Sequence, residues 1–380
     1  MRLRYLGELY KRQYIARQWL CAHLFGLRRV LRGMPKREGL RGAPERVLVV
    51  MAGLIGDTVM STPVLIEAKR IWPKAEIVLL GGAINCELLR GSPMLTAVKE
   101  ASANPFSLRG RRQVSELVEW IRRQNFDIGI ILLGDQFAYA LAQSGIPVRV
   151  GVHEHVLEPT LTHAYDIGSP RTWGPRERLN SLRCLGFEMR DVAPMLWVDD
   201  AARESAATQL ARLGLSRKSP YAILHPFGSS RRQWWPFAKV AEVAETLWGH
   251  GVMPVVIGIP EVRRHVSGLP TDKVVNAVGE LDIRELLGAI DTARIVISTD
   301  SGPFHIGGAL GRPLIGLFRA RRPEHGQRYV KSQVIFGHNA ECEARCAWDS
   351  CRLDSCAQMA SLSSEEVISA VDGALECLKS

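Results

Sequence analysis

The sequence lacks a long apolar run. No stretch of its 380 residues approaches the roughly 18 to 20 uninterrupted apolar residues that a membrane-spanning helix requires. The short apolar run Leu20–Leu27 contains His23 and leads into Arg28 and Arg29 rather than a small-residue cleavage site, so the pattern of a secretory signal peptide is missing too. These absences argue against an integral membrane helix and lead us to expect a cytosolic chain.

The fingerprints of two common kinds of cofactor site are also missing. The first glycine-rich turn reads G-x-x-G-D at Gly53, Gly56 and Asp57, not the G-x-G-x-x-G of dinucleotide-binding domains, which disfavours a nicotinamide-dependent oxidoreductase. Four of the eight cysteines crowd into fifteen residues, but their spacing lacks the C-x2-C pairs of strong zinc sites. These four are Cys342, Cys346, Cys351 and Cys356. A structural zinc or iron ion and a cysteine-rich surface loop with reduced thiols both remain open.

Positive charge is in excess and is unevenly placed. The segment 1–44 contains eleven Lys or Arg residues and only two Glu residues. Its surplus of nine positive charges accounts for nearly all of the net charge of +10. Four leucines recur there at helical spacing: Leu20, Leu24, Leu27 and Leu31. A basic amphipathic helix of this kind suits an anionic membrane surface, while the alternative is a helix docked on the protein itself. RNA binding is less favoured because basic residues interleaved with aromatics do not recur elsewhere.

Beyond Pro44 the sequence alternates between strands and helices. Continuous apolar, Val-rich runs are typical of strands buried on both faces. They occur at 46–51, 77–80 and 127–133, and again at 221–225, 254–258, 294–299 and 314–318. Amphipathic helices are predicted between them, at 58–71, 114–123 and 237–250. This rhythm, interrupted around residues 192–220, predicts an α/β protein with two Rossmann-like parallel-sheet domains facing a cleft.

The predicted organisation has four parts. A basic amphipathic extension spans residues 1–44, and an N-terminal Rossmann-like domain spans 45–200. A C-terminal Rossmann-like domain spans 215–360, and a C-terminal helix spans 361–380. Because ligands of parallel sheets bind beyond the carboxyl ends of the strands, the strand-to-helix turns are the candidate sites.

The first such turn follows the opening strand. Gly53 and Gly56 permit a tight turn where the backbone must approach a ligand or the next helix closely. Asp57 lies at the start of that helix. Its carboxylate either caps the helix N-terminus or acts as a general base toward an attacking hydroxyl.

The second turn, Leu224–Pro236, and the third, Ser298–His305, suit an anion. In the second, small residues with backbone N–H groups precede Arg231 and Arg232. This pattern fits an anion site and a solvated basic loop equally well. In the third, a strand runs into Ser301-Gly302-Pro303, with the proline suited to the first helical position. The amides of this helix end favour a diphosphate, and Asp300 and His305 have side chains that hydrogen-bond a ribose or a phosphate. A capping Asp and a satisfied His are the alternatives.

Together these turns resemble glycosyltransferase family 9, the heptosyltransferases, which have the two-domain GT-B fold. The resemblance covers roughly residues 46–375, and its most specific part is the Thr-Asp-Ser-Gly-Pro-x-His stretch at 299–305. The resemblance implies an inverting, metal-independent transfer of heptose from ADP-heptose to a lipopolysaccharide core sugar. It assigns the acceptor side to the domain 45–200 and nucleotide-sugar binding to the domain 215–360. It further implies a location on the cytosolic face of the inner membrane of a Gram-negative bacterium, with a lipid-linked glycan as acceptor.

Carried over by position, the resemblance assigns Asp57 as the general base. It assigns a second set of residues to the donor: Ser229, Arg231, Arg232, Gln233, Glu261, Thr299, Asp300, Ser301, Gly302 and His305. One position departs from the family, because Gln233 stands where the heptosyltransferases have a Lys. Since the leaving nucleoside diphosphate must be neutralised, Arg231 or Arg232 is expected to supply that charge.

Two other functions stay open at this point. One is a family relative that uses another sugar nucleotide or another acceptor, for which Gln233 leaves room. The other is a non-catalytic sugar-nucleotide-binding protein of a membrane glycan assembly, against which the presence of Asp57 argues. The acceptor is expected to contact variable loops of the N-terminal domain, such as the region 104–112.

Overall fold

A computed structural model describes most of the chain and divides it into two compact units, Met1–Val192 and Ala193–Ser380. The described residues are 42–101, 110–153, 157–167, 174–228, 230–266, 268, 272–319, 329–345 and 355–378, with Leu20 and His23. The division falls at the start of the predicted connector, whose helix Asp200–Arg212 belongs to the second unit.

Most of the predicted basic extension lies outside the described residues. The exceptions are residues 42–44 and helical backbone at Leu20 and His23, both of which are exposed. Among the residues with described structure, no helix has the length and apolarity needed to cross a membrane.

The first unit is a six-stranded sheet with helices between the strands. The strands are β1 (Arg46–Met51), β2 (Glu76–Gly81), β3 (Ala97–Glu100), β4 (Ile128–Leu133), β5 (Val148–Val152) and β6 (His163–Tyr165). The helices are α1 (Ile55–Ile71), α2 (Ala83–Leu89), α3 (Gly110–Gln124), α4 (Ala138–Ser144), α5 (Gly174–Arg178) and α6 (Asn180–Arg183). All neighbouring strands are parallel, in the order β3-β2-β1-β4-β5-β6. The strand order therefore reverses between β1 and β4.

The second unit repeats this topology. Its strands are β7 (Tyr221–His225), β8 (Met253–Gly258), β9 (Val275–Val278), β10 (Ile295–Thr299), β11 (Leu314–Arg319) and β12 (Ser332–Gly337). Its helices are α7 (Asp200–Arg212), α8 (Phe237–Gly249), α9 (Ile283–Thr292), α10 (Gly302–Ala309), α11 (Ala340–Arg345), α12 (Ala357–Ser361) and α13 (Ser364–Cys377). The parallel order β12-β11-β10-β7-β8-β9 reverses between β7 and β10. The predicted pair of Rossmann-like sheets is confirmed.

Helix α1 begins earlier than the sequence suggests and corrects one interpretation of Asp57. The predicted start was residue 58, but the helix begins at Ile55 and its N-cap is Leu54. Asp57 is therefore the third helical residue and not a cap, because Gly56 is accommodated in the first turn. Further along, Pro63 cannot donate to the carbonyl of Val59, and the Thr62 hydroxyl donates to that carbonyl instead, at 2.8 Å.

Helix α1 also carries a fully buried carboxylate, Glu67. Arg70 donates to it from Nε and Nη2, and Arg190 donates from its backbone N and from Nε. Burial by itself would raise the pKa of Glu67, but these hydrogen bonds outweigh it and lower the pKa from 4.5 to about 2. Glu67 thus fixes the chain near the end of the first unit onto α1.

We expect Glu67→Gln to lower the free energy of unfolding at pH 7 by about 2 kcal/mol, less than for a deeply buried pair because both arginines are partly exposed. Because the folded-state pKa is depressed, this stabilisation is complete above pH 4.5 and is lost as the pH falls toward 2. Urea unfolding of wild type and variant at pH 7 and pH 3 measures the difference. The matched control is Glu119→Gln, an exposed ion-paired carboxylate on α3. Equal effects of the two substitutions would contradict this account.

Candidate active site

Three of the predicted site segments lie where a sheet reverses its strand order. Asp57 follows β1, beside β4, and the turn 231–233 follows β7. The stretch 299–305 follows β10, which is paired with β7. Parallel sheets bind ligands in the crevice that such a reversal creates beyond the strand ends. Each unit therefore has its candidate residues at the position that its topology favours for a ligand.

In the first unit, close packing of the β1 and β4 ends places Asp57. The backbone N of Ala52 donates to the carbonyl of Leu133 at 3.1 Å, and a Cβ on Gly53 would lie 3.0 Å from the Leu133 side chain. Asp57 keeps about a third of its side chain exposed, with Oδ1 3.8 Å from Nη2 of Arg178. Arg178 is itself anchored, since its Nη1 donates to the Leu132 carbonyl at 3.0 Å. An accessible carboxylate is thus held beside a fixed guanidinium.

Asn85 stabilises the turn that carries Asp57, and the sequence analysis did not identify it. It is 4% exposed, and its amide donates to the carbonyl of Gly53 at 2.9 Å and to the Thr58 hydroxyl at 2.7 Å. Thr58 in turn donates to the Leu54 carbonyl at 2.9 Å. Asn85 therefore braces the whole turn that carries Asp57. The available sequence signal was weak, a polar residue just after the second strand.

In the second unit, the turn after β7 explains the departure at Gln233. Its side-chain oxygen accepts from the backbone N of Ser230 at 3.2 Å, closing a capping box around the short helical turn 231–233. The same side chain covers Gly228, where a Cβ would lie 2.8 Å from Oε1. Gln233 thus helps to hold the turn itself. Ser229, also predicted to contact the donor, lies outside the described residues.

Two arginines form the first two residues of this capped turn. Arg231 is exposed, and its guanidinium lies over the Trp234 ring, 5.4 Å from the centroid. Trp234 is fixed by a bond from its indole N–H to the carbonyl of Gly228 at 3.2 Å. Arg232, next to it, is partly exposed. The turn therefore presents two cations close to the end of β7.

The turn after β10 is bonded to the turn after β7. Thr299 is 1% exposed, and its hydroxyl donates to the Phe227 carbonyl at 2.6 Å, so it joins the two turns instead of facing a ligand. The Ser301 hydroxyl lies 3.0 Å from Nδ1 of His225 and 3.1 Å from the Ser298 hydroxyl. Desolvation lowers the pKa of His225 to about 4, so this imidazole is neutral at pH 7. His225 and Ser298 are further positioning groups that sequence patterns did not single out.

Helix α10 starts at this turn with an anion-binding geometry. Ser301 is the N-cap, Gly302 is the first helical residue, and Pro303 is the second, one position later than expected. His305 is 4% exposed, with Nε2 3.7 Å from Oδ1 of Asp300, whose side chain is one-quarter exposed. Backbone N–H groups and the helix dipole at such an end favour a phosphate. Asp300 and His305 therefore flank a position suited to a diphosphate.

Glu261 and the cysteines lie apart from this cluster in sequence. Glu261 is exposed in the short helical turn Pro260–His265 after β8, the strand beside β7. Cys342 is half-buried on α11, whereas Cys356 is buried in the core of the second unit.

The predicted metal site stays a prediction. Within the described residues, no three potential metal-binding side chains come together, but Cys346 and Cys351 lie outside those residues.

The sequence that forms these two units is similar to known proteins. The model of glycosyltransferase family 9 (heptosyltransferase) matches residues 114–356, more than half of the chain. Lipopolysaccharide heptosyltransferase 3 of Escherichia coli K12 is 26% identical over 282 residues, covering 70% of this chain and 80% of the relative.

Two solved structures are similar in fold. One is a family 9 glycosyl transferase from Veillonella parvula, with a TM-score of 0.75 and 20% identity, covering 91% of this chain and 100% of that one. The other is E. coli ADP-heptose LPS heptosyltransferase II, with a TM-score of 0.74 and 18% identity, covering 88% and 100%. Both agree with the GT-B fold that the resemblance implied, and the family match confirms the resemblance itself. The chain belongs to glycosyltransferase family 9, and it is an enzyme of the nucleotide-sugar-dependent class.

Proposed function

We propose that the protein transfers heptose from ADP-heptose to a core sugar of lipopolysaccharide, with inversion at the anomeric carbon. The observation that carries this proposal is the cluster at the β7 and β10 ends, where the α10 N-terminus lies in the same unit as Arg231 and Arg232. That combination suits a nucleoside diphosphate. The choice of heptose as the transferred sugar is supported by the name of one similar structure, an ADP-heptose LPS heptosyltransferase.

In the proposed donor site, the diphosphate lies against the first residues of α10. Asp300, Ser301, Gly302 and His305 hold this diphosphate and the neighbouring sugar of the donor. Arg231 and Arg232 neutralise the charge that develops as ADP departs, the role that the family Lys has elsewhere. Glu261, beyond β8, is proposed to meet the adenosine ribose. No metal ion is required for this scheme.

In the proposed reaction, Asp57 is the general base. The acceptor hydroxyl oxygen attacks the anomeric carbon while the bond from that carbon to the ADP oxygen breaks, and its electron pair leaves with ADP. The hydroxyl proton passes to the Asp57 carboxylate. Arg178, fixed on the Leu132 carbonyl, keeps that carboxylate in place.

The test is a transfer assay with purified protein, ADP-heptose and a series of core-truncated lipopolysaccharide acceptors. We expect release of ADP and an acceptor heavier by one heptose, detected by mass spectrometry. UDP- and GDP-sugars serve as controls. Transfer from one of these instead, for which the departure at Gln233 leaves room, would favour a relative with another donor. Binding of a sugar nucleotide without transfer to any acceptor would favour the non-catalytic alternative.

We also propose that the protein works at the cytosolic face of the inner membrane, on a lipid-linked glycan. The support is the charge of the segment 1–44, which carries nearly the whole positive surplus of the chain. Anionic lipid headgroups attract such a segment by about 1 kcal/mol per basic residue near the surface. The acceptor is proposed to meet the region 104–112, of which residues 104–109 lie outside the described structure.

Neutralising three arginines of the extension should weaken membrane binding. We expect the triple variant Arg28→Gln, Arg29→Gln and Arg32→Gln to bind phosphatidylglycerol-containing vesicles about 100-fold more weakly, because each lost charge removes about 1 kcal/mol. Vesicle sedimentation at 0.1 M salt measures this. The control replaces three exposed arginines of α3: Arg112, Arg122 and Arg123. Equal losses of vesicle affinity in both variants would show that the basic residues of the extension contribute no more to membrane binding than other surface charges.

A further inference from the structure

The two ring nitrogens of His305 face two different groups. Nδ1 lies 3.1 Å from the hydroxyl of Tyr329, and Nε2 lies 3.7 Å from Oδ1 of Asp300. The imidazole is 4% exposed. A neutral imidazole carries one N–H, so its tautomer decides which nitrogen donates and which accepts. Which nitrogen of His305 donates therefore depends on whether Tyr329 and Asp300 act as donors or acceptors.

Tyr329 is held in place by packing. It is 5% exposed, and its ring lies directly against Gly308 of α10, where a Cβ would overlap the ring. Phe304 contacts it edge-on, with ring centroids 5.8 Å apart. The carbonyl of Tyr329 accepts from the backbone N and the hydroxyl of Ser332, at 3.0 and 2.7 Å. The phenol is therefore presented to His305 by a separate segment of the chain, ahead of β12.

The chemistry of these neighbours selects one tautomer. Burial, reinforced by the charge of Asp300, raises the pKa of the Tyr329 hydroxyl well above its usual value, so this hydroxyl keeps its proton. A carboxylate accepts hydrogen bonds and donates none, so the nitrogen that faces Asp300 is favoured as the one with the N–H. Both conditions are met when the Tyr329 hydroxyl donates to Nδ1 and Nε2 carries the proton.

We propose that Tyr329 is a positioning residue that fixes His305 as the Nε2–H tautomer and directs this N–H toward Asp300 and the donor diphosphate. The diphosphate part of this inference rests on the proposed function. The tautomer part rests on the geometry of Tyr329, His305 and Asp300 alone. Tyr329 acts through His305 and does not itself touch the donor.

The test is Tyr329→Phe, which removes the hydroxyl and keeps the ring against Gly308. In protein labelled with ¹⁵N at histidine, the His305 signal, identified by its loss in His305→Gln, should show the Nε2–H tautomer in wild type. It should show a mixture of tautomers in the variant. We expect ADP to bind the variant roughly five-fold more weakly, as one net hydrogen bond predicts, with a raised donor KM and a less affected kcat.

The matched control is Tyr221→Phe in the same unit. Its hydroxyl is also buried and bonded, donating to the Ala289 carbonyl at 2.6 Å, but on the face that α9 covers. This control should lower the melting temperature without changing the His305 signal or the ADP affinity.

An Nδ1–H tautomer in wild type, or an unchanged His305 signal in Tyr329→Phe, would overturn the inference. The tautomer is read without ligand, so its result is independent of donor identity. If wild type binds no ADP, the proposed donor and the diphosphate part of the inference both fail, whatever the tautomer.

Discussion

Asp57→Asn should lower kcat for heptose transfer by about 10²- to 10⁴-fold, the usual contribution of a positioned general base. Asn has nearly the same shape but does not accept a proton from the acceptor hydroxyl. Asp57 lies on the first unit, whereas the proposed donor groups lie on the second, so ADP affinity should stay within about two-fold of wild type. Steady-state transfer assays and calorimetric titration with ADP measure the two quantities.

The control for Asp57 is Asp166→Asn. Asp166 is exposed and directly follows β6, at the same carboxyl edge of the same sheet. The Asp166→Asn variant should retain the wild-type kcat. A variant of Asp57 that keeps more than about a tenth of the wild-type kcat would remove Asp57 from the role of general base.

The second large effect is expected from the double variant Arg231→Gln and Arg232→Gln. The developing charge on departing ADP would lose its cationic partners, and kcat should fall by about 10²- to 10³-fold, as for other charge-stabilising groups. Affinity for ADP should fall as well, because the product diphosphate bears the same charge. Adding Gln233→Lys to this variant should restore part of the rate by supplying the cation that the family has there.

The control for the arginine pair is Arg212→Gln with Arg217→Gln. These two arginines are exposed in the same unit, at and just beyond the end of α7, and precede β7. Arg217 is paired with Glu204. If this control loses as much rate as the variant of Arg231 and Arg232, the effect is one of general charge and not of a specific site.

The sequence predicted the framework well because local patterns determine it. The strands Arg46–Met51 and Tyr221–His225 begin and end where the apolar runs do, since a strand buried on both faces must be apolar throughout. The carboxyl edge of the sheets, where ligands bind, follows from the repeated strand–helix rhythm. The reversal of strand order within each sheet becomes visible only in the fold. The predicted start of α1 was wrong by three residues, because the glycine in its first turn was interpreted as a turn residue.

The sequence did not predict the residues that hold the site in place. Asn85, His225 and Tyr329 act across 24 to 76 residues of chain. No spacing rule connects them to their respective partners, Thr58, Ser301 and His305. Gln233 shows the complementary case. Its departure from the family was visible in the sequence, but its use as a cap for Ser230 becomes clear only when the turn is folded.

The central claim is that the second unit binds an adenosine-diphosphate sugar at the β7 and β10 ends. Its most direct test is the melting temperature of the protein with ADP, ADP-heptose, UDP, GDP and their sugars. At about 100 times Kd, a ligand of the folded state adds about 2.7 kcal/mol, a rise of roughly 5–10 °C for a unit of this size. We predict this rise with ADP and ADP-heptose and its loss in Ser301→Ala with His305→Gln. Selective stabilisation by UDP or GDP, or no rise with any nucleotide, would contradict the account.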